Sequence, residues 1–146
     1  MRSNTKVRYG LRAMIQIGVD NDTGILQKTI AKKQDISNKY LDQIIAALKA
    51  EGLIEKSQNV HSGYILSRPA STITIYDIYK AFEPELHVVP CIPHQDKCPR
   101  KNHCAAMHFW SELNEHIKSY YESRTLQELV DIQKKMELSR AENTQE

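Results

Sequence analysis

Cys91, Cys98 and Cys104 lie in one histidine-rich stretch, CIPHQDKCPRKNHCAAMH, and the chain has no other cysteine. An odd number of clustered thiols fits a metal or iron–sulfur ligand set better than a disulfide framework, which needs pairs. Lys97, Arg100 and Lys101 flank Cys98, a cationic setting that would stabilise a negatively charged centre. The chemistry implied is therefore that of a metal centre.

Something must position those thiols. At 146 residues the chain is the size of one domain, large enough to bury roughly two thirds of its unfolded surface without covalent staples. Arg8 and Arg12 interrupt the apolar run of the opening stretch, and no segment approaches the ~20 consecutive apolar residues of a membrane span. The expectation is a soluble cytoplasmic protein, in a compartment that keeps thiols reduced.

The net charge of +2 is unevenly spread. Residues 1–68 hold eleven Lys/Arg against six Asp/Glu, a surplus of +5, whereas the remainder carries −3. A basic N-terminal half beside an acidic C-terminal half points to a polyanion-binding module joined to something that is not one.

Apolar periodicity through Val7, Leu11, Met14 and Ile15 predicts a helix over about 5–19, ended by the turn formers of 20–24. A short helix follows over about 27–34. Asp35-Ile36-Ser37 reads as a tight turn. Ser37 is an N-cap for a helix burying Leu41, Ile44, Ile45 and Leu48, with Gly52 closing it. Residues 53–56 and 64–67 read as a β-hairpin, which makes the unit a winged helix-turn-helix. Thr74 with Asp77 starts another helix, ending by Pro84. Beyond the irregular cysteine stretch, a long helix is predicted to about Ser123 and a last one over about 126–138.

Phe109, Trp110, Leu113, Ile117, Tyr120 and Tyr121 give the long helix a wide apolar face. Periodicity alone leaves an ordinary core helix and a pairing face equally open. The helix-turn-helix favours pairing, because such proteins usually read two half-sites about one DNA turn apart. The helix from Ser37 would then enter the major groove with Ser37, Asn38, Lys39, Tyr40 and Gln43 on its first turns. Lys39 suits phosphate or guanine, Gln43 suits adenine, and Ser37 can cap the helix and also meet a phosphate.

The segments TKVRYGLRAM, DISNKYLDQIIAALKAEGLIEK, SGYILSRPASTITIYDIYKAFE, the cysteine cluster with Trp110 after it, and TLQELV together resemble the IscR/NsrR family of winged-helix transcriptional regulators. The resemblance runs to about Val130. It implies a homodimer joined by the long helix, a 2Fe-2S or 4Fe-4S cluster near the interface, and control of DNA binding by the cluster's state. Cys91, Cys98 and Cys104 fall on the family's ligands, and Ser37, Lys39 and Gln43 on its DNA-reading positions.

Three departures bear on this chemistry. Six residues separate Cys91 from Cys98, where the IscR branch has five, an insertion a proline-containing loop absorbs at little cost. That branch has a histidine three residues after the last cysteine, where this chain has Met107. His108 stands one place on, still on the same side of a helix as Cys104, and leads as fourth ligand. His94, Asp96, His103 and the partner's first helix are alternatives, although Arg8 stands where the NsrR branch uses an acidic residue. The wing, Gln58 to Tyr64, lacks the family's arginine, for which Lys56 and His61 stand in part.

The expected fold is mainly α, a winged helix-turn-helix with a small β-hairpin wing and a long C-terminal dimerisation helix. Residues 1–83 would bind DNA, 84–103 hold the cluster, 104–138 form dimerisation helices and 139–146 a disordered tail. The expected function is that of a regulator without catalytic activity, bound to a pseudo-palindromic operator. A thiol–disulfide switch, a structural zinc site and an electron-transfer protein are the alternatives.

Overall fold

The computed structural model describes residues 4–59, 61 and 63–145. Met1–Ser3, Val60 and Ser62 of the wing, and Glu146 at the end of the expected tail lie outside the described residues. Helix α1 spans Thr5–Val19, α2 Gln27–Gln34 and α3 Asn38–Ala50. Strands β1 (Ile54–Lys56) and β2 (Tyr64–Leu66) follow, then α4 (Ile75–Lys80), α5 (Ala105–Ser123) and α6 (Leu126–Asn143). The chain is thus mainly helical with one small hairpin, as expected.

Local chemistry sets these boundaries. Asn4 caps α1, its side chain accepting the Lys6 N–H. Asp35 takes the left-handed conformation (φ 52°) that ends α2, and the Ile36 N–H closes back onto the Ala31 carbonyl at 3.0 Å. Ser37 then caps α3 by accepting from the Tyr40 N–H. Thr74 and Asp77 form a reciprocal capping box at α4.

Two ends differ from expectation. Helix α4 stops at Lys80, and residues 81–83 continue it only as tight turns, with Ala81 and Phe82 N–H groups bonding three residues back. Helix α6 runs past Leu138 to Asn143, so the segment read as a disordered tail is helical that far. Side chains support that extension: Ser139 and Thr144 hydroxyls donate to carbonyls four residues earlier.

Helix α1 lies at the centre. Met14 and Ile17 are buried with Ile30, Leu41, Ile44, Leu48, Leu53, Ile73 and Ile78, each worth roughly 1.5–3 kcal/mol of burial. Leu126 and Val130 of α6 belong to the same core. Gly18 permits that approach, since a Cβ there would lie 2.5 Å from Val130 Cγ2. The chain returns by hydrogen bonds from the Ile75 N–H to Arg124 O and from the Leu126 N–H to Ile73 O. β1 and β2 pair antiparallel, with Ile54 opposite Leu66 and Lys56 opposite Tyr64. Ile25 bridges to Tyr64 and ties the hairpin to the start of α2. No helix among the described residues is long and apolar enough to cross a membrane.

Candidate nucleic-acid interface and cysteine site

Four apolar positions of α3, Leu41, Ile44, Ile45 and Leu48, turn into the core. The opposite face is left to solvent: Asn38, Lys39, Asp42, Gln43 and Ala46 are exposed, and Ser37 is exposed at the cap. Lys39 and Gln43, one helical turn apart, therefore share a surface available to DNA. Tyr40 is placed differently. It is half-buried, its ring edge-on to Tyr9, so it joins α3 to α1 and is only marginally part of the outer face.

Asp42 was not among the expected reading residues, yet it sits in the middle of that face. Gln27 Nε2 at the start of α2 donates to its Oδ1. A carboxylate here opposes phosphate and can accept from a cytosine amino group. Its signal in the sequence was positional: Asp42 lies four residues after Asn38 and three after Lys39.

Helix α3 is braced from behind by a polar network. Gln16, buried in α1, donates through Nε2 to Asp20 Oδ2 at 2.7 Å and accepts from Gln34 Nε2 at 2.9 Å. Arg12 Nε donates to Gln34 Oε1 at 3.1 Å, and its Nη2 to the Gln34 carbonyl. These bonds fix the end of α2 immediately before the turn into α3. In the wing, Lys56 and His61 are both exposed, and the His61 N–H donates to Asn59 Oδ1. Gly63 has φ +77°, and a Cβ on it would lie 2.1 Å from the Ile25 carbonyl oxygen.

The three cysteines are free thiols, Cys91 exposed and Cys98 and Cys104 half-buried. Their loop is a run of tight turns in which His94, Lys101 and Met107 N–H groups bond to the carbonyls of Cys91, Cys98 and Cys104 in turn. Among the described residues no three His, Cys, Asp or Glu side chains are gathered as a metal site. Cys104 is the N-cap of α5 and makes no side-chain cap bond. Its sulfur therefore stands at the positive end of the helix dipole, which favours a bound negative charge. Asp96 is engaged by Lys101, whose hydrogen bond and charge hold its carboxyl below the usual range.

Met107, not His108, faces the loop. Its Sδ accepts from Gln95 Nε2 at 3.6 Å and Ser111 Oγ at 3.5 Å, whereas His108 is exposed. Ahead of Cys91, Leu86 is buried, and Asn114 Oδ1 accepts the Val88 N–H at 2.9 Å. His87 Nδ1 is buried without a hydrogen-bond partner among the described residues.

Most of α5 is not covered by its own chain. Asn114 is its one buried residue, and Phe109 and Tyr120 are 57% and 63% exposed. Tyr121 packs edge-on against Tyr79; burial, then the Glu83 charge and the neighbouring Tyr121 and Tyr76, push the Tyr79 phenol up. An apolar cleft of about 300 Å³ opens beside Tyr120, lined also by Val7, Leu11, Ile78, Tyr121 and Leu129.

The sequence profile of the Rrf2 family, described as an iron-dependent transcriptional regulator, matches residues 3–132. The chain belongs to the Rrf2 family. It is 33% identical over 132 residues to a protein of Neisseria meningitidis provisionally named an HTH-type transcriptional regulator, covering 90% of this chain and 88% of that one. Among solved structures, T. potens IscR superposes with a TM-score of 0.73 at 26% identity, over 90% of this chain and 87% of that one. The oxidized form of Staphylococcus aureus CymR gives 0.70 at 29% identity, over 89% and 96%. As an Rrf2 protein the chain is a DNA-binding transcriptional regulator, and its relatives are named as regulators, not enzymes.

Proposed function

We propose that this Rrf2 protein is a cytoplasmic homodimer that binds a pseudo-palindromic operator, and that an iron–sulfur cluster held by Cys91, Cys98 and Cys104 controls its affinity for DNA. The observation that carries the reading is that all three thiols are free, lie in one loop, and end on the N-cap of α5. The donor set suits a soft centre, and Lys97 and Arg100 supply counter-charge in the same loop. His108 leads as fourth donor in this reading by its spacing from Cys104, with Met107, which faces the loop, as its competitor. When bound, such a cluster supplies a centre that oxidants or loss of iron can alter. The chain's own residues do the rest: the cysteines hold the centre, α5 carries the loop, and the exposed face of α3 reads DNA.

Pairing rests on the exposed Phe109 and Tyr120, an apolar face that a two-fold copy of α5 would cover. A dimer would present two α3 helices to successive major grooves. Anaerobic purification followed by visible absorption, with iron and acid-labile sulfide counted per chain, tests the cofactor. A coloured protein carrying both supports it, whereas a colourless, zinc-loaded protein overturns it.

A second reading, a thiol–disulfide switch, is favoured by the exposure of Cys91 and by similarity to a CymR structure described as oxidized. Mass mapping of disulfides after peroxide treatment of the metal-free protein separates it from the first.

A further inference from the structure

The cysteine loop is shaped by local bonds and placed by very few others. From Val89 to the start of α5, the backbone–backbone hydrogen bonds outside the helices, among the described residues, all join positions three apart: Ile92 to Val89, His94 to Cys91, Lys97 to His94, Cys98 to Gln95, Lys101 to Cys98, His103 to Arg100 and Met107 to Cys104. Such turns fix the loop's curvature without fixing where it lies on the protein. Two side-chain bonds to α5 supply the placement. Asn114 Oδ1 accepts the Val88 N–H at 2.9 Å, and Met107 Sδ accepts from Gln95 Nε2 at 3.6 Å.

These contacts are aligned on the helix. Met107, Ser111 and Asn114 follow one another at helical spacing, so they form one seam. Ser111 steadies it by donating to the same sulfur. The seam grips the chain at Val88, three residues before Cys91, and at Gln95, three before Cys98, on the helix that Cys104 caps.

Asn114 carries the stronger of the two grips. It is the one buried residue of α5, in a helix whose other positions are half-buried or exposed. Asparagine is a poor helix former, and an apolar residue would fill the place but leave the Val88 N–H unpaired.

We propose that Asn114 is a positioning residue for the cysteine loop: by holding Val88 it sets Cys91 relative to Cys104, and it ties the state of the loop to α5. The second half of this statement rests on the cluster reading above. The first does not.

Hydrogen exchange on the full-length, metal-free chain tests the first half. In the unmodified protein the Val88 amide should exchange more slowly than those of Ile92 and His94. Asn114→Ala should speed Val88 exchange by roughly five- to tenfold, the worth of one buried amide bond. Alkylation of Cys91 should accelerate in the same variant, with Leu41 and Ile44 of the winged-helix core keeping their protection. Asn114→Asp, which retains an acceptor, should restore Val88 protection at least in part, and Asn114→Leu should not. Equal exchange at Val88 and Ile92 in the unmodified protein overturns the proposal even if every variant fails to fold. So does an Asn114→Ala protein that folds with unchanged Val88 exchange and Cys91 alkylation.

The linkage to the centre is read separately, as the rate at which a chelator bleaches the reconstituted protein. Faster bleaching in Asn114→Ala than in the unmodified protein supports it, and equal rates overturn it. If no iron–sulfur protein can be reconstituted at all, the cluster reading fails, and the linkage fails with it. The exchange and alkylation results would still decide the positioning role.

Discussion

Tyr40, on the first turn of α3, packs edge-on against Tyr9 of α1 with ring centroids 5.5 Å apart and an interplanar angle of 80°. The Arg12 guanidinium lies 5.1 Å from the Tyr9 ring centroid, on the side chain that also anchors Gln34. Tyr40 is thus a link between α3 and its brace. Tyr40→Ala should cost about 1–3 kcal/mol of stability in chemical denaturation, as a partly buried aromatic pair is lost. Tyr40→Phe keeps the ring contact and should stay within about 0.5 kcal/mol. Large loss of operator affinity in a fully stable Tyr40→Phe protein would assign the hydroxyl to DNA instead.

Lys39 and Gln43 share the exposed face of α3, and in the proposed reading they meet different parts of DNA. Lys39→Ala, if it removes a phosphate contact, should weaken all sequences alike and lower the salt slope of log K by about one. Gln43→Ala should cost roughly 1–3 kcal/mol at one base pair and relax preference there. With Lys56 and His61 in place of the family's wing arginine, His61→Ala should alter preference less than Gln43→Ala. Titrations against operator variants at several salt concentrations make the comparison. A wing substitution that erased preference while Gln43→Ala left it intact would move the reader away from α3.

Asp77 joins α4 to the wing's far side. Burial raises its carboxyl, but hydrogen bonds from the Thr74 backbone and hydroxyl, with the charges of Arg68 and Lys80, outweigh that and leave it below the usual carboxylate range. Arg68 Nη2 lies 2.9 Å from Asp77 Oδ2. A carboxyl depressed by folding adds stability above its unfolded titration range and loses it as pH falls through the folded one. Asp77→Asn should therefore be less stable at neutral pH by about 0.5–2 kcal/mol, the scale of a lost cap. The gap should close in acid, below the folded carboxyl's range. A gap that stayed constant down to that pH would show that the charge contributes nothing.

Elements whose cause is local were legible in the sequence. The periodicity of α1, the Ser37 cap and the Gly52 stop, found at φ +70°, each lie within a few residues of the structure they produce. What was missed depends on partners far along the chain. Gln16 is buried because Gln34 meets it, and Asn114 because Val88 does, and neither pairing leaves a mark on neighbouring residues. The cysteine loop shows the same division. Its thiols were evident from composition, but the choice of Met107 over His108 as the residue facing Gln95 depends on the rotation of α5.

The cysteines and the core are separate in space, which fixes what their removal should do. None of the three thiols is buried, and the apolar cluster around Met14, Ile17 and Leu41, with Ala81 and Phe82 packed against it, includes no residue from 83 to 125. Cys91→Ala, Cys98→Ala and Cys104→Ala should each abolish cluster binding yet unfold at nearly the temperature of the unmodified apo-protein. His108→Ala should weaken the centre or shift its spectrum, and His116→Ala, exposed beside Glu112 and about three turns from Cys104, should not. Met107→Leu provides the decisive comparison, because it removes the thioether that faces the loop while keeping an apolar side chain. A spectrum altered by Met107→Leu and untouched by His108→Ala would take the fourth-ligand role from His108. Loss of the folded protein in all three cysteine variants would mean that the centre holds the fold together instead of reporting through it.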